Sequence, residues 1–219
     1  MPDTIQEQRT IFNQRLDNTP TYRDRVWTEL IKYYFYKWVP ADADALVLGC
    51  DCGDFINNIK ARNKFVLNLR SLQFFYYGDV NFINQDYSLE WKLNEKSLDV
   101  IFCSNLDQLS QGENDFSEIL QQAYRCLKPG GVLIVLGYNV RYSPDAYWRI
   151  FKDEIVYNDR LLAKTLKNAG FTIEKRVSRF LSYYSYPVSS LKSYIEMPFL
   201  WWFKGREFLI VAVRSRRDL

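Results

Sequence analysis

Short apolar segments alternate with helical segments or turns along much of the chain, and this alternation limits the folds that the sequence can adopt. The apolar segments have the length of strands and lie at Ala45–Gly49, Lys64–Asn68, Val80–Gln85, Leu98–Cys103 and Val132–Leu136. Strands that are joined through helices form right-handed crossovers, and such crossovers build a largely parallel sheet. The sequence therefore predicts an α/β fold with helices on both faces of the sheet.

Further elements flank this core. Apolar residues at helical spacing predict helices at Arg23–Val39, Glu113–Leu127 and Asp159–Ala169. The second of these helices is predicted to end in a turn at Lys128–Gly131. Two more strands are predicted near the end of the chain, at Phe171–Val177 and Glu207–Val213. We expect a helical segment at residues 1–40 that packs on the core, followed by one domain at residues 41–219 with an aromatic insertion at residues 178–205.

The overall charge does not favour a nucleic-acid partner. The net charge is +3, and only residues 214–217 form a locally basic run. A nucleic-acid interface needs a concentrated basic face. We expect no nucleic acid as a partner.

The sequence also favours a protein of the cytoplasm. Residues 1–15 are polar and predict no signal peptide. No apolar run approaches the roughly 20 residues that span a bilayer, so we expect no transmembrane segment. The four cysteines lack the spacing of a disulfide framework.

Histidine is absent from the sequence. Any acid–base chemistry must therefore use carboxylate, tyrosine, cysteine or lysine side chains. Cys50 and Cys52 lie close together, but two thiols without a second pair fall short of the four ligands of a structural zinc site. We expect no metal.

The predicted sheet places several loops around one crevice. In an open parallel sheet, ligands bind beyond the carboxyl ends of the strands. The turns after Gly49, Asn68, Gln85, Cys103 and Gly137 therefore meet at one edge. This arrangement predicts a small-molecule site at that edge.

The chain is similar to class I S-adenosylmethionine (SAM)-dependent methyltransferases over about residues 23–213. The motifs that carry the resemblance occur in the family's order, as ALVLGCDCGDF, NKFVLNLR, FINQDYS, SLDVIFCSNLDQL and AYRCLKPGGVLIVLG. The segments RDRVW, GDFINNI, AYW and AGF resemble the small methyltransferases that accompany polysaccharide and glycosyltransferase enzymes. The resemblance implies a Rossmann-like sheet of seven strands, mostly parallel with one antiparallel strand. It also implies SAM as cofactor and a hydroxyl or carboxyl acceptor on a small molecule or glycan.

The cofactor loop departs from the family pattern, which reads acidic-Leu-Gly-x-Gly-x-Gly. Gly49 and Gly53 match the first and third glycines, whereas Val47 occupies the acidic position and Asp51 replaces the middle glycine. Asn68 stands where the family carries an acid for the ribose, which costs about 1–2 kcal/mol of binding. SAM binding is therefore either weakened or lost.

The resemblance also assigns further residues to the cofactor. Asp86 matches the acid that contacts the adenine amino group. The remaining cofactor contacts that it implies are Cys50, Leu69, Tyr87, Ser104 and Asn105.

The segment that leaves the fifth strand is the candidate acceptor site. Its predicted substrate contacts are Tyr138, Asn139, Arg141, Tyr142 and, farther on, Trp148. Turn formation is the alternative role for polar residues in such a loop. Asp153, which follows the AYW segment, is the preferred base, and Asp107 is the second candidate. A helix cap or an ion pair is the alternative role for Asp153.

The aromatic insertion at residues 178–205 has several possible roles. The sequence favours capping of the acceptor pocket together with core packing, with a homodimer or partner surface as an alternative. Lys192, Glu196 and Pro198 interrupt the segment, which disfavours contact with a membrane. For the whole chain, two hypotheses stay open: a SAM-dependent methyltransferase, and a non-catalytic methyltransferase-like subunit or binding module.

Overall fold

The computed structural model describes residues 20–49, 53–68, 77–104, 113–142, 158–180 and 188–216. Its helices are α1 Pro20–Tyr33, α2 Asp54–Asn58, α3 Glu113–Cys126, α4 Asp159–Asn168, α5 Val188–Glu196 and α6 Trp201–Lys204. Its strands are β1 Asp44–Leu48, β2 Asn63–Leu67, β3 Val80–Ile83, β4 Leu98–Ser104, β5 Leu127–Tyr138, β6 Phe171–Phe180 and β7 Glu207–Arg214. Short 3-10 turns lie at Phe35–Lys37 and Pro198–Leu200.

The strands form one seven-stranded sheet in the order β3-β2-β1-β4-β5-β7-β6. Strands β1 to β5 pair in parallel with their neighbours, and β7 runs antiparallel to both β5 and β6. The predicted α/β, Rossmann-like fold, with a mostly parallel seven-stranded sheet and one antiparallel strand, is confirmed.

Each face of the sheet is covered by an apolar cluster. Val47 and Phe102 belong to the cluster under α1, whereas Leu48 and Cys103 belong to the cluster under α3 and α4. The two sets alternate along the strands because successive side chains point to opposite faces. Both faces are covered, so β1 and β4 are apolar along nearly their whole length.

Helix α1 is held on the sheet by aromatic contacts. Trp27 is buried and meets the rings of Phe55 and Phe102 edge to face, with centroids 6.3 and 5.8 Å away. The predicted helix Arg23–Val39 ends earlier than expected, at Tyr33. Tyr34 leaves the helical conformation, and the consecutive rings of Tyr34 and Phe35 both enter the core.

Helix α3 ends at Cys126, one residue before the predicted end, and residues 128–131 lie within the bounds of β5 but have no register partner on β4 or β7. Strand β5 follows α3 directly, and the pairing of β4 with β5 shifts between Leu98 and Val100. A Cβ on Gly131 would lie 2.9 Å from the Lys128 carbonyl oxygen. Gly131 therefore allows an irregular backbone within β5. Such an irregularity uses the same residue types as a turn.

Helices long and apolar enough to cross a bilayer do not occur in the part of the chain that the structure describes.

Candidate cofactor and acceptor site

Three predicted cofactor residues lie side by side at the carboxyl edge of the sheet. Leu48 pairs with Leu67 on β2 and with Cys103 on β4. The next residue on each strand is therefore Gly49, Asn68 or Ser104. Neighbouring strands lie about 4.8 Å apart, so these three positions form a continuous row. We call Asn68, Gly49 and Ser104 the cofactor row.

The glycines at either end of residues 50–52 adopt backbone conformations that favour glycine. Gly49 has a φ of 87° and Gly53 a φ of 79°. The Gly49 N–H donates to the Leu67 carbonyl oxygen at 3.3 Å, and Gly53 is the N-cap of α2. Side chains other than glycine rarely adopt such a φ, so both glycines are required for the chain to turn here.

Helix α2 fixes the far side of this loop against β4. The Phe55 ring stacks on the Phe102 ring with centroids 4.1 Å apart and an interplanar angle of 4°. On the surface, the Thr28 hydroxyl donates to the Asn58 side-chain oxygen at 2.6 Å. The loop is therefore anchored to the sheet and to α1.

Asn68 and Tyr87, both predicted cofactor contacts, meet each other. Asn68 is buried, and its N–H donates to the Ile83 carbonyl oxygen at 3.1 Å. The buried Tyr87 hydroxyl donates to Asn68 Oδ1 at 3.1 Å. An amide oxygen has two lone pairs and can accept two hydrogen bonds.

Asp86 is exposed, and its carboxylate is fixed by the residue two positions later. Oδ1 accepts from the Ser88 N–H at 2.9 Å and from the Ser88 hydroxyl at 2.8 Å. These two hydrogen bonds lower the pKa of the Asp86 carboxyl, and the bond from the Ser88 backbone has the larger effect. The group is an anionic acceptor at neutral pH.

Ser104 ends β4 with a buried hydroxyl. Its Oγ has no hydrogen-bond partner among the described residues. Strand alternation places it on the face of Val100 and Phe102. Buried polar atoms are nearly always satisfied, so this hydroxyl marks a position where a ligand atom would complete a hydrogen bond.

Val47, at the acidic position of the family motif, lies in the apolar core. It is fully buried between Val66 and Phe102, its partners on the adjacent strands. No carboxylate faces the loop from this position.

Asn139, a predicted substrate contact, is fully buried and holds the turn after β5. Its side-chain nitrogen donates to Asp159 Oδ1 at 3.0 Å and to the Ser178 carbonyl oxygen at 2.8 Å. Its side-chain oxygen accepts from the Arg141 N–H at 3.3 Å. Its direct role toward a substrate stays a prediction, and its hydrogen bonds shape the segment that carries the neighbouring candidates.

Asp159 is a buried carboxylate that the sequence did not single out. The Ser178 hydroxyl donates to its Oδ2 at 2.6 Å. Arg141 and Arg176 approach it to 3.8 and 3.7 Å. In the sequence, Asn158-Asp159 resembles an ordinary helix start, and no local signal reveals the burial.

The other described candidates for acceptor contacts are Tyr138, Arg141 and Tyr142, which lie before and after Asn139. The Arg179 guanidinium lies 4.6 Å from the centroid of the Tyr142 ring, and that of Arg141 lies 5.6 Å away. Tyr138 ends β5 and pairs in register with Glu207 of β7. Glu207 is a buried carboxyl group at the same edge, and sequence reasoning missed it.

Several predicted site residues lie outside the described residues, and their roles stay predictions. They are Cys50, Asp51, Leu69, Asn105, Asp107, Trp148 and Asp153. Within the described ranges, no group of three or more cysteine or acidic side chains is arranged to hold a metal ion.

Comparisons with known proteins agree with this geometry. A family model described as a methyltransferase domain matches residues 34–135. No curated protein matches the sequence. A SAM-dependent methyltransferase from Archaeoglobus fulgidus has a TM-score of 0.66 at 16% identity, over 94% of this chain and 99% of that chain.

Two further solved structures show how widely the fold is used. One is a chain from a Haloferax volcanii complex, which joins the Trm112 methyltransferase activator to a methyltransferase. It has a TM-score of 0.65 at 14% identity, over 88% of this chain and 91% of that chain. The [4+2]-cyclase SpnF has a TM-score of 0.59 at 14% identity, over 88% of this chain and 80% of that chain. The sheet order, the family model over residues 34–135 and these structures agree that the chain has the fold of the class I SAM-dependent methyltransferases.

Proposed function

We propose that the chain binds SAM and transfers its methyl group to a hydroxyl or carboxyl group of a small-molecule or glycan-like acceptor. The observation that carries this proposal is the cofactor row, in which Asn68, Gly49 and Ser104 lie at one register position on adjacent parallel strands. The glycine leaves room for a ligand, and the two polar side chains on either side of it offer hydrogen bonds.

The polar groups present fit an adenosine-type ligand. Asn68 stands at the family's ribose position, and its Oδ1 is an acceptor that would suit a ribose hydroxyl. The Asp86 carboxylate would accept from the exocyclic amine of adenine. The Ser104 hydroxyl lacks a hydrogen bond within the described part of the chain and would gain one from the ligand. When bound, SAM supplies a methyl group already activated on a sulfonium centre.

The acceptor would lie beside Tyr138, Arg141 and Tyr142. Because the cofactor carries the activation, these residues need mainly to orient the acceptor and exclude water. A carboxylate acceptor needs no base, whereas a hydroxyl needs a modest one. The sequence has no histidine, so we assign the base to a carboxylate, with Asp153 preferred over Asp107. We place this activity in the cytoplasm, as the cysteine spacing indicates.

A second candidate function is a non-catalytic methyltransferase-like subunit. The observation that favours it is the pair of changes at Val47, which is buried among apolar side chains, and at Asn68, whose oxygen already accepts from Tyr87. The likeness to a chain called a cyclase is a reminder that function lies in the site and not in the fold.

Calorimetric titration with SAM and S-adenosylhomocysteine separates the two candidates. The methyltransferase proposal predicts saturable heat and a rise in the unfolding temperature with either ligand. The absence of both at millimolar ligand would contradict it and leave the non-catalytic subunit.

The Asn68→Asp variant tests the cofactor row itself. A carboxylate accepts from the ribose with charge assistance and keeps an oxygen for Tyr87, so we expect SAM to bind about tenfold more tightly. Asn94→Asp adds the same charge in the turn before β4, at the opposite edge of the sheet, and should leave the affinity unchanged. Equal effects of the two variants on SAM affinity would show that Asn68 does not contact the ribose.

A further inference from the structure

Residues 197–206, which we call the aromatic tip, expose several large apolar side chains within a short stretch. The exposed fractions are 40% for Met197, 65% for Phe199, 66% for Trp202 and 72% for Phe203. Soluble proteins rarely expose contiguous apolar groups of this size, and such patches mark surfaces that bind a partner or a membrane.

The tip is held in place by the core and is not a loose loop. Trp201 is buried, and its indole N–H donates to the Tyr194 carbonyl oxygen at 2.9 Å. Its ring meets those of Phe180 and Tyr34, with centroids 5.0 and 5.3 Å away. The buried Trp201 therefore fixes the direction in which its neighbour Trp202 points outward.

Several cations lie near residues 197–206. Arg206 and Lys192 are exposed, and Lys192 Nζ lies 5.0 Å from the centroid of the Tyr33 ring. Arg179 donates to the carbonyl oxygens of Phe203 and Gly205, each at 3.2 Å. Residues 197–206 contain no Asp or Glu, and of the two acids that flank them Glu196 is exposed and Glu207 is buried.

We propose that the aromatic tip docks on an anionic lipid surface. The sequence disfavoured membrane contact because charged residues and a proline interrupt residues 178–205, but the structure gathers the exposed rings within the shorter stretch 197–206. Tryptophan and phenylalanine beside lysine and arginine suit the layer between headgroups and acyl chains, where the rings enter and the cations meet lipid phosphates. Helix α6 has only four residues, so insertion is shallow. A second copy of the chain fits less well, because its tip would bring the same cations together. The proposal does not depend on methyl transfer.

Cosedimentation of the full chain with lipid vesicles tests the proposal. We expect binding to vesicles that contain phosphatidylglycerol, little binding to phosphatidylcholine alone, and release by added salt. The tryptophan emission should shift to shorter wavelength on binding. The double variant Trp202→Ser with Phe203→Ser should weaken vesicle binding at least tenfold, without loss of the folded circular dichroism spectrum.

The matched control changes Tyr77 and Leu89, which are exposed on the β3 side of the sheet, to Ser. It removes similar apolar surface and should keep full vesicle binding. An equal loss in this control, or no binding to anionic vesicles, would overturn the proposal. A dimer that forms without lipid and dissociates in the Trp202→Ser, Phe203→Ser variant would also overturn it in favour of a second copy.

Discussion

At the scale of single residues, Asp44 organises an ionic cluster at the amino end of β1, opposite the candidate site. Its carboxylate accepts from Arg62, from Asn63 at 2.7 Å and from Lys128 at 3.2 Å. Lys128 also bonds Asp99 at 2.7 Å, so one cation joins two strands. The Arg62 guanidinium is the main cause that lowers the pKa of the Asp44 carboxyl to about 2.

This shift predicts a particular acid sensitivity. A carboxyl with a lowered pKa in the folded state contributes stability above its unfolded pKa of about 4 and loses it as the pH falls toward about 2. Because the cluster lies near the surface, we expect Asp44→Asn to lower the free energy of unfolding by about 1–2 kcal/mol at neutral pH. Urea unfolding at several pH values should show this difference shrinking between about pH 4 and pH 2.

Asp79→Asn serves as the control, since it removes a carboxylate from an exposed turn. A pH-independent difference between wild type and Asp44→Asn would contradict the ionic explanation.

The sequence could predict only some of the candidate site at this scale. The alignment of Gly49, Asn68 and Ser104 at one edge was predictable because parallel pairing aligns the ends of successive strands, whereas their contact with a cofactor stays a prediction. The bond from Tyr87 to Asn68 and the burial of Asp159 were not. Their partners come from separate elements, and no local pattern records which polar groups will meet after packing.

At the scale of elements, Gly205 joins the aromatic tip to β7. A Cβ here would lie 2.5 Å from the Phe180 carbonyl oxygen and 2.7 Å from the Trp201 carbonyl oxygen. These backbone atoms cannot move aside as a flexible side chain does. We expect Gly205→Ala to lower the free energy of unfolding by about 1–3 kcal/mol and to weaken vesicle binding through displacement of the tip. Urea unfolding and cosedimentation measure the two effects.

Gly78→Ala is the comparison for that variant. A Cβ at Gly78 meets nothing within 4 Å, although its φ of +76° disfavours alanine. It should cost about 1 kcal/mol and leave vesicle binding intact. Normal vesicle binding by Gly205→Ala would show that the tip does not depend on this junction.

Elements were predicted best where the apolar pattern is regular. Strand β4 was expected at Leu98–Cys103 and runs from Leu98 to Ser104. The start of β5 was predicted at Val132 but lies at Leu127, because glycine and proline signal an irregular backbone without telling a turn from an irregular strand. The sequence also marked residues 178–205 only as an aromatic insertion. It could not show which of two adjacent tryptophans would be buried, since that depends on Phe180 and Tyr34.

At the scale of the whole molecule, the candidate site and the aromatic tip share one edge of the sheet. β7 begins at Glu207, beside the end of β5 at Tyr138. Arg179 contacts both the Tyr142 ring and the carbonyl oxygens of the tip. β7 lies three strands from β1 in the sheet order, or about 14 Å at the usual strand spacing.

This separation predicts that lipid docking and cofactor binding are compatible. Interfacial segments enter about 5–10 Å into the boundary between headgroups and acyl chains, less than the distance of about 14 Å from the tip's root on β7 to Gly49 after β1. Because docking should leave the crevice open, we expect the affinity for S-adenosylhomocysteine to change by no more than about twofold when anionic vesicles are added. The Trp202→Ser, Phe203→Ser variant, titrated without lipid, should have the same affinity as wild type. If S-adenosylhomocysteine binding were lost completely, and only when vesicles are present, the lipid would cover the crevice. Retained affinity would show that the crevice stays open to the cofactor while the aromatic tip is docked.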